Sequence, residues 1–264
     1  MLFYTAIILL PLWMLFVTSF SSDSVAAQQG FVLVPQGFYL DSYIKIWGSM
    51  YMRAFYNSVF VTVVGTATSL AFTCTMAYAL AQPTLVFRRT IMNMVLLVII
   101  VDIGIIPYFL LIRSLGMLNS YTAIIIPAAI GSFNLILMRN FFQSIPDSLV
   151  ESGRLDGASE LTILVRIVLP ISLPIVAAIT LFSAVSHWNR FFEFIIYITD
   201  TSKHTLQVLL RQLVFEDTSD MGATTQYNNF KMAVMIFAMM PMLILYPFIQ
   251  KHFISGIMLG SVKA

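Results

Sequence analysis

The sequence predicts an all-α membrane protein of about six transmembrane helices, with a polar loop between the fourth and fifth; each crossing takes about 20 apolar residues. Three observations carry this. Of the 264 residues, 59% are hydrophobic and 10% charged, against about 25% charged in soluble domains. That leaves too little polar surface to cover a water-facing fold. The apolar residues fall in runs long enough to span a bilayer, and the 14 Lys and Arg residues are scattered between the runs rather than gathered in a basic stripe. With a net charge of +2, nothing points to nucleic acid.

The chain opens in an apolar run to Phe20 without a basic leader. The run exceeds the usual apolar core of a signal peptide, so it reads as a first span, about Phe3 to Phe20. Later runs give spans from about Ser58 to Ala81, Met92 to Ile112, Tyr121 to Met138, Ile171 to Ser186 and Met232 to Ile249. No internal repeat or second domain is visible, so residues 1–264 read as one transmembrane domain. With the C-terminal tail inside, Arg88, Arg89, Arg139, Arg154, Arg166, Lys251 and Lys263 face the cytoplasm. Lys45, Arg53, Arg113, Arg190, Lys203, Arg211 and Lys231 then face outward. The two sets are equal in size, so the positive-inside rule does not orient the chain.

The second span carries Gly65, Ala67, Ser69, Ala71, Thr73, Thr75, Ala77 and Ala79. Small residues let helix backbones approach closely in lipid, so this span reads as packed inside a bundle. Cys74 is the lone cysteine and lies mid-span, which leaves no disulfide or thiolate cage. His187, His204 and His252 have no metal-ligand spacing, and each reads as surface or interfacial. No metal site or catalytic residue set is expected.

The segment at about 140–170 is the most informative. Its heart is Ile145-Pro-Asp-Ser-Leu-Val-Glu-Ser-Gly-Arg-Leu-Asp-Gly-Ala-Ser159. Ser144 suits a helix N-cap, Pro146 a first helical position and Asp147 the favourable first turn. Asp156-Gly157 signals a turn and Ser159 caps a second helix through Leu164 and Ile167. Pro170 and Pro174 mark entry into the next span.

These residues resemble the cytoplasmic loop of permease subunits of binding-protein-dependent ABC importers. The family pattern is Glu-Ala-Ala, about three residues, Gly, then a helix ending in Leu-Pro with a second Pro four residues on. Here it reads Glu151-Ser152-Gly153, Leu155-Asp156-Gly157-Ala158-Ser159, then Leu169-Pro170 and Pro174. The two Ala positions are Ser152 and Gly153, a departure that keeps them small. The resemblance covers nearly the whole chain and is of the maltose-permease, carbohydrate type, nearest to oligosaccharide and polyuronide uptake. Supporting stretches include Ala77-Tyr78-Ala79-Leu80, Ser114-Leu-Gly-Met-Leu-Asn119 and His187-Trp188-Asn189.

The resemblance implies that the loop is a coupling helix seated on an ATPase subunit, with Glu151, Ser152, Gly153, Asp156 and Gly157 as its coupling residues. It places both termini in the cytoplasm of a bacterial cell (inner) membrane. It implies a second permease subunit, two ATPase subunits that hold ATP and Mg, an extracytoplasmic solute-binding protein, an oligosaccharide substrate and surrounding lipid. The chain lacks a phosphate-binding Gly-x-x-x-x-Gly-Lys-Ser/Thr motif, a nucleophile elbow and a zinc pair. It is therefore expected to be a non-catalytic pore subunit with no cofactor of its own.

Three places are candidates for the substrate path. Asp102 is an acidic residue deep in a span beside Gly104 and Pro107, and intramembrane carboxylates cost about 3 kcal/mol. It reads either as a pore group for sugar hydroxyls or as a paired or water-exposed carboxylate near the outer end of a packed helix. Phe133 and Asn134 combine an aromatic face with an amide, as sugar binding needs, and read equally as packing plus an interhelical hydrogen bond. Trp188, Asn189 and Glu193 follow the fifth span; Trp188 also suits a headgroup belt, and Glu193 lies at pairing distance from Arg190. The outer stretches, Tyr43 to Trp47 and Asp200 to Asp220, are expected to face the soluble receptor. The rival reading is an ion-coupled secondary transporter using Asp102. An intramembrane enzyme is disfavoured, because no catalytic pair is visible.

Overall fold

The computed structural model describes residues 2–22, 34, 37–101, 103–219 and 228–260. Asp102 lies outside the described residues, as do Pro35, Asp220, Lys263 and the side chain of His252. The described chain is helical, with no strand. Its main helices are α1 (Leu2–Phe20), α2 (Asp41–Ile46), α3 (Met50–Ala81), α4 (Arg88–Ile100), α5 (Ile105–Ser114) and α6 (Thr122–Ile125). Then follow α7 (Ser132–Gln143), α8 (Asp147–Leu155), α9 (Glu160–Ile171), α10 (Leu173–Asn189), α11 (Phe192–Tyr197), α12 (Leu206–Ser219) and α13 (Asn228–Gly260). By length and apolarity α3 and the 229–247 part of α13 can each cross a membrane. The pair α9 and α10, bent by 89°, makes a third crossing if it is one span.

Two expected spans are interrupted. Met92 to Ile112 is not one helix: α4 ends at Ile100, Val101 is extended, and Gly104 at φ +78 introduces α5. Only glycine takes that backbone without strain. Tyr121 to Met138 is likewise α6, a turn, and α7. Pro127 has no N–H to give the carbonyl of Ala123, so α6 cannot continue. Hydrocarbon offers broken backbone no water, so its groups need partners within the protein. Ser69 meets that need, its Oγ donating to the Ala128 carbonyl at 3.1 Å.

The chain forms two compact units. Unit 1 is Met1–Val59 with Arg190–Ile244, and unit 2 is Phe60–Asn189 with Leu245–Ala264. In unit 1, Ile46, Tyr51, Ala54, Leu206, Leu209, Ala233 and Val234 form the core. Its connections are fixed by polar side chains. The Asn57 amide donates to the carbonyls of Ser202 and His204, both at 2.9 Å, and Ser58 Oγ accepts the first free N–H of α12, from Leu206, at 2.9 Å. His204 is buried, with Nε2 3.2 Å from the Ile198 carbonyl.

In unit 2, α3 buries Val61, Thr62, Thr66, Ser69, Thr73, Cys74, Ala77 and Tyr78. These repeat every three to four positions, as one helix face must. Of the small residues read as packed in the second span, Gly65, Ser69, Thr73 and Ala77 do face inward, whereas Ala67, Ala71 and Thr75 lie on the opposite, exposed face. Below them, Leu80, Val95, Leu135, Met138, Phe142, Val150, Ile163, Leu164 and Ile179 close an apolar core, and α7 packs against α4 and α10.

The expectation of exposed histidines fails. His187 is 4% exposed and His204 8%. Hydrogen bonds offset the cost of burying such polar rings, and His187 Nε2 lies 3.2 Å from Ser69 Oγ. Since Ser69 has one proton and gives it to Ala128, His187 Nε2 must carry the proton shared with Ser69. Gly65 makes room for the ring: a Cβ there would stand 2.7 Å from it. Gly65→Val is therefore expected to destabilise by about 1–3 kcal/mol, as overpacking does. The check is the monodisperse yield and thermal midpoint in detergent, and a wild-type midpoint would contradict this packing.

Candidate functional site

The 140–170 segment is built by local rules. Ser144 does not cap α8; its Oγ donates back to the Phe141 carbonyl at 2.7 Å and finishes α7. Pro146 stands one position earlier than expected, at the N-cap, with ψ 129 and no capping side chain. Asp147 falls in the first turn of α8, where the helix dipole favours a carboxylate. The far end closes in a Schellman motif. Ala158 N–H donates to the Gly153 carbonyl and Gly157 N–H to the Arg154 carbonyl, each at 3.0 Å, and Gly157 sits at φ +78. Ser159 caps α9 as expected, accepting from Thr162 N–H at 3.3 Å. Leu164–Val168 widens into a π turn. Pro170 follows, and after Ser172 the chain bends by 89° into α10; π turns and prolines are the usual causes of sharp kinks.

Gly153 faces inward. It is buried, and a Cβ there would meet Ile167 Cδ1 at 2.9 Å and Ile163 Cγ1 at 3.3 Å. Its smallness therefore serves the contact between α8 and α9. Glu151, Ser152, Asp156 and Gly157 are exposed, and so is Leu155, at 89%. A nearly bare leucine between Arg154 and Asp156 forms an apolar tip on a polar loop. The sequence offered one signal for it, an apolar side chain at the turn where α8 ends.

Polar side chains join this segment to the end of α3. Tyr78 Oη donates to Glu160 Oε2 at 2.5 Å. Arg154 donates from Nε to Glu160 Oε1 at 2.8 Å, and from Nη2 to Glu160 Oε2 at 3.3 Å and Gln82 Oε1 at 2.9 Å. The bond from Arg154, then that from Tyr78, holds the Glu160 carboxyl below its ordinary range; the same bond raises Arg154. Arg139 Nε lies 3.4 Å from the Leu80 carbonyl, where the α3 dipole favours a cation. Tyr78, Gln82 and Glu160 were not among the expected site residues.

The substrate-path candidates separate. Phe133 is 63% exposed at the start of α7. Asn134 beside it is half-buried and donates to Ser183 Oγ on α10 at 3.4 Å, a long contact between helices. Trp188 is 3% exposed, so it is a core side chain of unit 2 rather than a belt residue; Asn189 next to it is exposed. Glu193, in unit 1, pairs with Arg190 at 3.6 Å. Trp47 and Ile44 in the outer stretch are strongly exposed.

Two cavities differ in chemistry. One in unit 2, about 560 Å³, is lined by Leu70, Cys74, Leu161, Leu164, Leu169 and Val176, and offers sugar hydroxyls almost nothing to bond. One in unit 1, about 340 Å³, is lined by Arg53, Thr201, Ser202, His204 and Gln212 and suits a polar guest. Among the described residues no group of three or more His, Cys, Asp or Glu side chains could hold a metal ion.

Residues 63–258 match the family of binding-protein-dependent transport system inner membrane components. The chain belongs to that family. It is 43% identical over 272 aligned residues to the polygalacturonan/rhamnogalacturonan transport system permease protein YtcP of Bacillus subtilis (strain 168), covering all of this chain and 95% of that one. The arabinooligosaccharides transport system permease protein AraQ of the same strain is 29% identical, over 97% of this chain and 90% of its own. In three dimensions the chain is similar to one from a bacterial ABC transporter involved in the import of the acidic polysaccharide alginate. The TM-score is 0.87 and the identity 32%, over 95% of this chain and 92% of that chain. The protein is thus an ABC-importer permease subunit of the inner membrane, with the permease fold, and the ion-coupled alternative finds no support.

Replacing Glu160 by Gln tests the electrostatics. The folded carboxyl titrates below its unfolded value, so its stabilisation is complete above the ordinary glutamate range and is lost as the pH falls through the folded value. With the pair 39% and 57% exposed, the contribution is at most about 1 kcal/mol. The wild-type melting temperature is expected to exceed that of E160Q by a small, constant margin from pH 8 to pH 6, a margin that closes below about pH 4.3. Melting curves across this range check it, and a margin that grows on acidification would contradict it.

Proposed function

We propose that this chain lines one half of the translocation pore of an ABC importer for acidic oligosaccharides, with the 140–170 segment as its coupling element to a separate ATPase subunit. The observation that carries the reading is the shape and chemistry of α8 and its turn. The helix is capped at the far end, Gly153 seats it on α9, and Glu151, Ser152, Asp156 and Leu155 project outward. An apolar tip ringed by polar groups is what a partner cleft recognises.

On this reading the membrane is crossed about six times, by α1, α3, the interrupted pair α4 and α5, the interrupted pair α6 and α7, α10, and α13. The whole chain is one transmembrane domain, and both termini and α8 are cytoplasmic. ATP and Mg are held by two ATPase subunits; this chain supplies no catalytic residue. A sister permease completes the pore, and a soluble receptor docks on the outer stretches around Trp47 and Asp200. Relatives named for polygalacturonan/rhamnogalacturonan and for the acidic polysaccharide alginate support a uronate-containing cargo. Phe133, Asn134, Asn189, Glu193 and Asp102 remain the proposed path residues, while Trp188 belongs to the core; Phe133, exposed beside an amide, is the one best placed to stack on a sugar face.

Mechanistically, ATP closes the ATPase pair, α8 follows it, and the pore shifts between inward- and outward-facing states that nucleotide and loaded receptor both bias. Glu151→Lys reverses an exposed anchor without touching the core. In the reconstituted transporter it is expected to lower receptor-stimulated ATP hydrolysis at least tenfold, with oligogalacturonides as the probe. Unchanged stimulation and uptake would sink the coupling assignment.

A further inference from the structure

Helix α8 hangs between two joints, the Ser144–Pro146 link and the Gly157 turn. Its buried contacts, Gly153 against the Ile163 and Ile167 side chains and Val150 in the same apolar cluster, are apolar and non-directional, so they resist separation better than they resist tilting. What fixes direction is the polar ring above them. Glu160, in the first turn of α9, accepts from Tyr78 on α3 and from both Nε and Nη2 of Arg154 at the end of α8. The second bond of Arg154 Nη2 reaches Gln82, one residue beyond α3. Three separate helices thus meet at one carboxylate. Its bonds are charge-assisted, and the arginine fork adds angular definition that apolar packing lacks. The tyrosine side of the ring is anchored in the core, since Tyr78 is 7% exposed and shares the cluster of Val150, Ile163 and Leu164.

We propose that Tyr78, Gln82, Arg154 and Glu160 form a positioning ring that makes α8 and the cytoplasmic end of α3 move as one body. A displacement at the Leu155 tip then reaches the long membrane helix instead of being lost at the Gly157 turn. The proposal rests on the reading that α8 docks on the ATPase. The ring residues are positioning residues; none touches cargo or nucleotide. Ion pairs this exposed add little to stability, so breaking the ring loosens α8 and leaves the unit folded.

Two measurements test it. The first is intramolecular and needs neither cargo nor partner. Spin labels on Ser152→Cys and Phe72→Cys, both exposed positions, in a Cys74→Ser background report the α8-to-α3 distance in the purified chain. A narrow distribution is expected with the ring intact, and one at least twice as wide in R154E and in E160R, narrowing again in the R154E/E160R double exchange. Equal widths in all forms, or a double exchange as wide as the single variants, would overturn the proposal. The second uses the assembled transporter with its receptor and oligogalacturonides as probe. R154E and E160R are expected to retain their ATPase subunits and to consume at least threefold more ATP per sugar imported, with Y78F intermediate; unchanged stoichiometry would overturn the proposal. Glu151→Lys, run alongside, separates the two ideas. If it uncouples and the ring variants do not, the ring fails alone. If the ring variants widen the distances while Glu151→Lys changes nothing, docking of α8 is what has failed.

Discussion

Hydrocarbon gives a protein no water with which to satisfy broken backbone, and unit 2 is arranged around that constraint. Pro127 ends α6 inside what would otherwise be a continuous span, exposing carbonyls that need donors. Ser69 on α3 supplies one to Ala128, and the same hydroxyl accepts from His187 on α10. A single serine thus ties the interrupted segment to two long helices. It reaches both because its helix face is made of small groups, with Gly65 leaving room for the imidazole. In a membrane, where apolar association alone gives little drive between helices, such close contacts hold the bundle together.

The 140–171 segment follows from a different set of local rules acting in sequence. An N-terminal carboxylate, a Schellman closure at Gly157, a serine cap at Ser159 and a proline-bearing π turn build a helix, a reversal and a second helix that meets α10 at 89°. None of these devices is strong alone. Together they present α8 on a short stalk, with its small face turned inward and its charged and apolar tip outward. The fold therefore offers a partner a shaped projection whose orientation is set by side chains of α3 and α9.

Much of this was legible in the residues. The Asp156-Gly157 turn, the Ser159 cap and the packed face of α3 follow from turn chemistry, capping and small-residue content, all of which act within a few positions. What escaped was contact between distant positions. His187 reads as an interfacial histidine until Ser69, 118 residues away, is seen beside it. Gly153 reads as a small docking residue, but Ile163 and Ile167 claim the space. The interruption of the third and fourth spans was masked by unbroken hydrophobicity, since an apolar run looks alike whether it is one helix or two. Glu160 drew no attention because a glutamate at a helix start is ordinary; only the approach of Tyr78 and Arg154 gives it a role. The family resemblance, read from the loop and its flanking stretches, was right.

The central claim is that the Leu155 tip docks on an ATPase subunit. A photo-crosslinking amino acid at position 155, in the intact transporter in membranes, tests it most directly. The account predicts an adduct with the ATPase subunit, and none with it from the same probe at Trp47. An ATPase adduct from Trp47 but not from position 155 would reverse the orientation and contradict the account.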